Sequence, residues 1–517
     1  MTANWQQAAK VAQQITQGWQ QAAKVAQQTT QGWQQPGAPG GAIVLFDAHH
    51  IHSTHCAGLA DLAQQTPFSA DSVVRFASIT KHLFAALVTG PGCRYLQLSD
   101  KLVQHLPQLT GANGQITVGQ ALDMSSGLPD VRETLSLLGL SVYNATSAAD
   151  LLDFVAQEGD LSYPPGSEIS YTNTGYRLVE EALKAKGVLF NDLLQQYICE
   201  PLDISLVAPE TWFDIVPGLV PGYWQNGAQW QLSSAGLHLS ASGSVTGSVN
   251  HLTRWLQSLL ADSGPGAGVL QRLSAPRYLN DGRTSGYGLG ITSSTLGSQT
   301  LFGHGGSHAG YKSYFLLHPE LKLGVAIVAN REDVATSESA LRVMAALLDR
   351  SLPEKGHDLT PGLYVAENAA DWLEIQGVTA TWLGAGETLW RADPHGDAVS
   401  LSSTFPIKLR HDGKAIVGEI GHAPRRFVSV EADSASLEHL QGRWFAHTWR
   451  SEMVIEGDRL IMGIGPAAIH ASLQSLGGDR VLATAQDGPW EKRFVIAREG
   501  DKVRLLLNRS RVVRYTR

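Results

Sequence analysis

The chain has 517 residues, 43% of them hydrophobic, enough to bury large cores and more than one domain of ordinary size holds. Its 47 acidic residues against 39 basic ones give a formal charge of -8, and no block of lysine or arginine is present to follow a phosphate backbone, so nucleic acid is excluded as a partner. Apolar runs such as GVAIVAN at 324–330 are too short to cross a membrane, and the N-terminus shows no apolar signal core. Cys56, Cys93 and Cys199 are sparse and odd in number, without a Cys-x-x-Cys zinc spacing; a cytoplasmic protein without membrane partner, metal or disulfide framework is expected.

In chain order, the first feature is a duplication: WQQAAKVAQQITQG at 5–18 is followed by WQQAAKVAQQTTQG at 19–32, with a third start at 33. Fourteen residues is close to four helical turns, so both copies set Trp, Ala and Val on nearly one face. The repeat is too short to build a solenoid. Residues 1–35 are therefore read as a helical segment, one copy docked on the following domain and the other extending it, ended by Pro36 to Gly41.

From Gly41 the pattern is mixed. A strand GAIVLFDA leads into a hairpin through His49, His50, His52 and His55, helices follow, and a second group of strands begins near residue 300. YKSYFLL and LGVAIVAN flank HPEL as an antiparallel hairpin, and SESALRVMAALLDRSL closes the domain as an amphipathic helix. Residues 36–352 thus read as one α/β (α+β) domain. Polar PEKGHD at 353–358 reads as a linker, and beyond it short strands and turns dominate. LTPGLY at 359 and LQGRWF at 440 each open such a run, which predicts two antiparallel β-barrels of similar build over 359–437 and 438–517.

Within the first domain, RFASITKHLFAAL places Ser78 three residues before Lys81, on one helical face. Serine needs a neighbouring base to become a nucleophile, and a buried lysine with a depressed pKa can serve as one. A serine that caps a helix ahead of an ordinary lysine has the same spacing, so the pair alone does not decide. The block GLADLAQQTPFSADSVVRFASITK at 58–81 resembles that preceding the nucleophile in the serine β-lactamase and penicillin-binding-protein-like superfamily, particularly its class C-like branch. Tyr171-x-Asn173 in YPPGSEISYTNTGYRL is similar to that branch's tyrosine motif. Tyr278-x-Asn280 shares the spacing without the Pro-Gly approach and is read as structural. His304-Gly305-Gly306 in FGHGGSHAGYKS stands where β-lactamases carry Lys-Thr-Gly, and ITVGQALDMSSGLPD at 116–130 resembles a further shared segment.

The histidine is mostly neutral at pH 7, unlike the lysine it stands for, so weakened recognition of a substrate carboxylate is expected. His-x-Gly and two C-terminal barrels resemble the D-stereospecific aminopeptidases. That resemblance implies a β-lactamase-like catalytic domain with a central antiparallel sheet, no cofactor, and a short peptide or amide substrate. Ser78 would attack, Lys81 and Tyr171 would share the proton transfers in either assignment, and Asn173 would orient lysine and substrate. His304 would bond near the tyrosine or the leaving group. The oxyanion hole would lie at Ser78 and Ser307, with Gly306 admitting the substrate. A loop of the last domain would reach over the cleft, and LATAQDGPWEKRF at 482–494 offers Asp487 on a turn for the substrate's α-ammonium. A homodimer is possible on the sequence.

The four histidines lack a carboxylate spacing for a metal, and alternation in a hairpin divides them between two faces. Ser125 and Ser126 read as a supporting turn, Tyr364 and Trp444 as core plugs, and no Gly-x-Ser-x-Gly elbow is present. The expected activity is a D-aminopeptidase or amidase working through an acyl-enzyme. The alternatives are a carboxylesterase or weak β-lactamase of the same fold, and a catalytically silent binding protein.

Overall fold

A computed structural model describes residues 2–517 apart from 432 and 434, with residues 2–15 described by backbone alone. The first domain is built on a six-stranded antiparallel sheet. Its strands are β1 (Gly41–Asp47), β2 (Ile51–Ala57), β3 (Thr292–Leu296), β4 (Gln299–His308), β5 (Tyr311–His318) and β6 (Leu323–Ala329), in the order β2-β1-β6-β5-β4-β3. The chain ends of this domain meet where Gly41 pairs with Ala329 and Asp47 with Leu323. Both faces of the sheet are covered, which is why β1 is a continuous apolar run. Ala42, Val44 and Phe46 enter a core on one face, while Ile43 and Leu45 enter a core on the other.

On the first face lie α2 (Thr80–Thr89), α3 (Val131–Leu137), α4 (Thr174–Lys184) and α5 (Val249–Ala261). α2 is buried at every residue from Thr80 to Val88, because it runs through the middle of this layer. On the opposite face lie α1 (Thr2–Gln31) and α6 (Thr336–Leu347). The duplicated segment forms one continuous helix rather than two. Its second copy packs Ala22 and Ala26, with Trp33 just beyond the helix, against Val343, Met344 and Leu347, and Trp19 stacks on His52 at 3.8 Å. The small residues at four-residue spacing allow a close approach: a Cβ at Gly18 would stand 2.3 Å from the Leu347 carbonyl oxygen. The side chains of most of the first copy lie outside the described residues.

The region expected to be a linker is partly sheet. Glu354–Lys355 pairs with Trp390–Arg391, and Lys355 donates to Glu338 of α6 at 2.6 Å, so these polar residues join the second domain to the first. The second domain is a ten-stranded antiparallel sheet curled nearly closed, and the third is a closed barrel of eight strands. The two are therefore not of one build, although Gly362–Ala366 and Gly442–Ala446 do open with the repeated Gly-x-aromatic pattern. Tyr364 and Trp444 are both buried plugs, bonded to Thr360 O and Leu440 O.

Among the contacts that hold the barrels to the first domain, three stand out. Leu137 of α3 enters the core of the eight-stranded barrel beside Trp444, Met453 and Tyr515. Lys492 donates to Ser136 Oγ at 2.7 Å. The buried Glu168 carboxylate bonds both Arg425 of the second domain and Arg511 of the third, neutralising two guanidiniums at the meeting of all three domains.

The docking of α1 predicts a specific sensitivity. Gly18→Val drives a branched side chain into the α6 backbone and is expected to cost about 1–3 kcal/mol, seen as a thermal midpoint lowered by several degrees. An unchanged midpoint in a calorimetric scan would show that α1 does not bear on the domain's stability.

Candidate active site

Ser78 lies in a 3-10 turn, Ala77–Ile79, that leads directly into α2. No side chain caps α2, whose N-cap is Ile79, so the serine is not spent on starting the helix. Its Oγ instead lies 3.1 Å from Lys81 Nζ. Ala77 just before it has a positive φ of 51°, an unusual conformation for alanine that turns Ser78 out of the buried layer.

Lys81 is fully buried and its Nζ has two further partners, Asn173 Oδ1 at 2.9 Å and the Ser242 carbonyl oxygen at 2.7 Å. The carbonyl can only accept, and the Asn173 amide is fixed oxygen-inward because its Nδ2 donates to Asp130 Oδ2 at 2.9 Å. A neutral amine therefore spends two N–H groups on these acceptors and turns its lone pair to the Ser78 hydroxyl. Burial holds the Lys81 pKa well below the usual lysine range, the Arg509 charge pushes it the same way, and Asp130 opposes them.

Tyr171 lies on the other side of the lysine, with Lys81 Nζ 4.7 Å and the Arg509 guanidinium carbon 4.8 Å from its ring centre. Its hydroxyl is buried without a hydrogen bond of ordinary geometry, although Ser78 is near enough to act on its acidity. Burial raises the Tyr171 pKa and keeps the phenol protonated, against the smaller effects of Ser78 and Arg509.

The third motif forms the C-terminal half of β4. Gly303 pairs with Thr292, but residues 304–308 pair only with β5, leaving their other side free toward Ser78. Gly306 is the point of closest approach: a Cβ there would stand 2.1 Å from the Phe76 carbonyl oxygen and 3.2 Å from Ala77 Cβ. Only glycine lets this strand lie against the nucleophile turn. Ser307 follows, its Oγ accepting from Lys312 Nζ at 2.6 Å.

His304 is buried, and both ring nitrogens are engaged: Nδ1 donates to the Gly305 carbonyl oxygen at 2.7 Å and Nε2 accepts from Tyr287 OH at 2.8 Å. Burial lowers its pKa to about 3, with the Lys81 charge adding to the effect, so the ring is neutral. Its ring centre lies 6.1 Å from that of Tyr171. Its hydrogen-bond partner is Tyr287, which packs edge-on against Tyr171 with ring centres 6.3 Å apart.

Ser78, Tyr171, Asn173, His304, Gly306 and Ser307 all line one cleft of about 870 Å³. Asp487 does not. Its carboxylate accepts from Ser141 Oγ at 2.7 Å and from the Val142 N–H at 3.1 Å, so it fastens the hairpin tip to the loop after α3 and has no reach to the cleft. The last barrel enters the cleft elsewhere, through Asn508 and Arg509 on the turn between its final strands. The second domain contributes Ala385–Thr388 and residues 401–405.

Sequence reasoning missed Asp130, Arg132, Glu133, Tyr287 and Arg509. Asp130 had a local signal, since an aspartate after Leu-Pro and before an apolar helix start is an N-cap; its Oδ1 accepts from the Arg132 and Glu133 N–H groups. Arg509 had none, because its partner Glu133 lies 376 positions earlier in the chain. Tyr278 is 63% exposed, and Asn280 bonds the Pro165 carbonyl oxygen, remote from Ser78. Ser125 bonds Asp123 within its turn. His52 pairs with Asp47 at 2.6 Å, and among the described residues no group of three or more His, Cys, Asp or Glu could hold a metal.

A D-aminopeptidase of Cereibacter sphaeroides is 22% identical over 507 residues, covering 90% of this chain and 92% of that protein. A D-aminopeptidase of Brucella anthropi is 25% identical over 61% of this chain and 60% of its own length. Among solved structures, the octameric penicillin-binding protein homologue from Pyrococcus abyssi has a TM-score of 0.52 at 18% identity, over 93% of this chain and 96% of that one. The D-amino acid amidase from Ochrobactrum anthropi SV3, complexed with D-phenylalanine, has a TM-score of 0.51 at 19% identity, over 64% of this chain and 98% of that one. These likenesses establish a shared fold. The family model described as beta-lactamase matches residues 25–349, which include the Ser78 turn, the tyrosine motif and β4, and the chain belongs to that family.

Proposed function

We propose that the protein is a serine hydrolase of D-aminopeptidase or amidase type, releasing N-terminal D-amino acids from short peptides or amides through an acyl-enzyme. The observation that carries this reading is the buried Lys81, whose two acceptor-only partners leave Ser78 to face its lone pair. The D-aminopeptidases similar to it over nine-tenths of its length supply the substrate class.

Ser78 Oγ attacks the scissile carbonyl carbon while its proton passes to Lys81 Nζ. The carbonyl oxygen becomes an oxyanion, for which the backbone N–H groups of Ser78 and Ser307 are the assigned donors. Tyr171, protonated because it is buried, gives its proton to the leaving amine, and Lys81 returns one to Tyr171. The C–N bond breaks and the acyl group remains on Ser78. Water then repeats the sequence: it attacks the acyl carbon as its proton passes to Lys81, and Tyr171 protonates the departing Ser78 Oγ and is reprotonated by Lys81, which releases the D-amino acid and restores Ser78. His304 supports the reaction as a neutral wall that fixes Tyr287 behind Tyr171, a positioning residue.

The proposed domain limits are a catalytic unit over 36–352, a helical segment over 1–35 with one copy docked on it, and barrels over 359–437 and 438–517 that contribute residues to the cleft. A cytoplasmic setting is part of the same proposal, since Cys56, Cys93 and Cys199 are all free. Assembly of copies, as a homodimer, is also proposed; the Pyrococcus abyssi homologue is octameric.

An active-site phosphonate is expected to label Ser78, and Ser78→Ala to lose both label and turnover of D-alaninamide; turnover by a folded Ser78→Ala protein refutes the mechanism. Lys81→Ala and Tyr171→Phe are each expected to lower kcat by about two to four orders of magnitude.

The pH profile follows from the sign of the Lys81 shift. The base works when neutral, so kcat/KM falls as pH drops through a Lys81 pKa held well below that of free lysine. Arg509 contributes to that depression, so Arg509→Gln should raise the Lys81 pKa and move the acidic limb to higher pH. A limb that stays in place would show that Lys81 is not the group titrating.

A further inference from the structure

With His304 neutral, β4 offers no fixed cation to a substrate, yet the cleft carries two guanidiniums. Arg509 is held by its backbone: its N–H donates to Glu133 Oε2 at 2.7 Å and its carbonyl oxygen accepts from the Asp130 N–H at 2.7 Å. Its guanidinium lies 4.8 Å from the Tyr171 ring centre, 37% exposed. The single ionic contact, Nε to Glu133 Oε1, is long at 3.9 Å, and the terminal nitrogens have no acceptor among the described residues. Arg132 also lines the cleft, and its side chain makes no hydrogen bond or ion pair among the described residues.

The nearby carboxylates do not complete this pair. Asp130 is occupied by the N–H groups of Arg132, Glu133 and Asn173 and by Asn173 Nδ2. Glu133 accepts the Arg509 N–H. Two partly buried guanidiniums facing one cleft repel each other, and an incoming anion relieves both.

Position within the site identifies the anion. Resting on the function proposed above, the leaving nitrogen must come to the Tyr171 hydroxyl. In a dipeptide the terminal carboxylate is one carbon removed from that nitrogen, so it arrives beside Tyr171, where Arg509 stands. An amide substrate places no charge there, and a longer peptide places a neutral amide. We propose that Arg509, with Arg132 beside it, binds the carboxylate of the leaving group, and that the substrate class is dipeptides with an N-terminal D-residue and a free C-terminus.

The test compares D-alanyl-glycine with D-alanyl-glycinamide, which differ only in that charge. The wild-type kcat/KM should favour the acid by about tenfold or more, the order of one charge-assisted pair. Arg509→Gln and Arg509→Met should each abolish the preference, Arg509→Lys should retain part of it, and Arg132→Gln should reduce it. Taking the ratio cancels the effect of Arg509 on Lys81, which is common to both compounds. A wild-type enzyme that prefers the amide, or a ratio unchanged in both Arg509→Gln and Arg509→Met, overturns the assignment. Calorimetric binding of the two compounds to Ser78→Ala provides a reading that needs no turnover, with tighter binding of the acid lost on adding Arg509→Gln. If wild-type protein hydrolyses no D-substrate, the proposed function fails, and equal binding of acid and amide to Ser78→Ala separately ends the subsite proposal.

Discussion

The site depends on keeping one amine buried. A lysine ammonium inside a protein normally demands a carboxylate, and Lys81 is given a hydroxyl, an amide oxygen and a carbonyl oxygen instead. These neutral acceptors satisfy the N–H groups without stabilising the positive charge as a carboxylate would, so burial keeps its full effect on the pKa. Asp130 is close enough to oppose that effect but is held one residue away, bonded to Asn173 rather than to the lysine. Asn173 thus insulates Lys81 from Asp130 while presenting its own oxygen. An aspartate at 173 would turn the base into a salt-bridged cation.

The same requirement explains why so much of the chain lies far from the chemistry yet bears on it. Lys81 belongs to an α2 that is buried along nearly its whole length, Asn173 to the N-terminus of α4, and Ser242 to a loop before α5. These come together only if the helical layer is packed on the sheet, and α3 then extends the arrangement to the last barrel through Leu137. Glu168, three residues before Tyr171, ties the tyrosine segment to both barrels by its ion pairs with Arg425 and Arg511. The barrels are consequently part of the site's frame as well as its roof.

What could be read from the sequence was whatever short spacing encodes. The Ser78–Lys81 pair, the Tyr171–Asn173 pair and the glycines around 305 are local patterns whose geometry follows from one helical turn, one helix start and one strand edge. The two-faced burial of β1 was also visible as an unbroken apolar run. Contacts between distant segments were not. Asp487 carried a strong local turn signal, and the turn is there, but its carboxylate is spent on Ser141 and Val142. The residue through which the barrel does reach the cleft, Arg509, sits on another turn with nothing in its neighbours to mark it. The polar 353–358 segment was read as linker because a two-residue strand leaves no periodicity, although residues 354–355 pair with Trp390–Arg391.

The neutral residue at 304 and the arginine at 509 belong to one electrostatic arrangement. Arg509 and Arg132 both lower the Lys81 pKa, and Lys81 in turn lowers that of His304. A lysine on β4 would add a third permanent cation beside these two, in a site whose Asp130 is already fully bonded. A lysine there could be accommodated only by losing its proton or by displacing Tyr287 from its partner. With histidine at 304 that position on β4 stays neutral, Lys312 of β5 is paired with Glu332, and the guanidiniums without a close carboxylate partner stand on α3 and the last barrel. The position of the positive charge, more than its presence, therefore separates this cleft from one with lysine in the third motif.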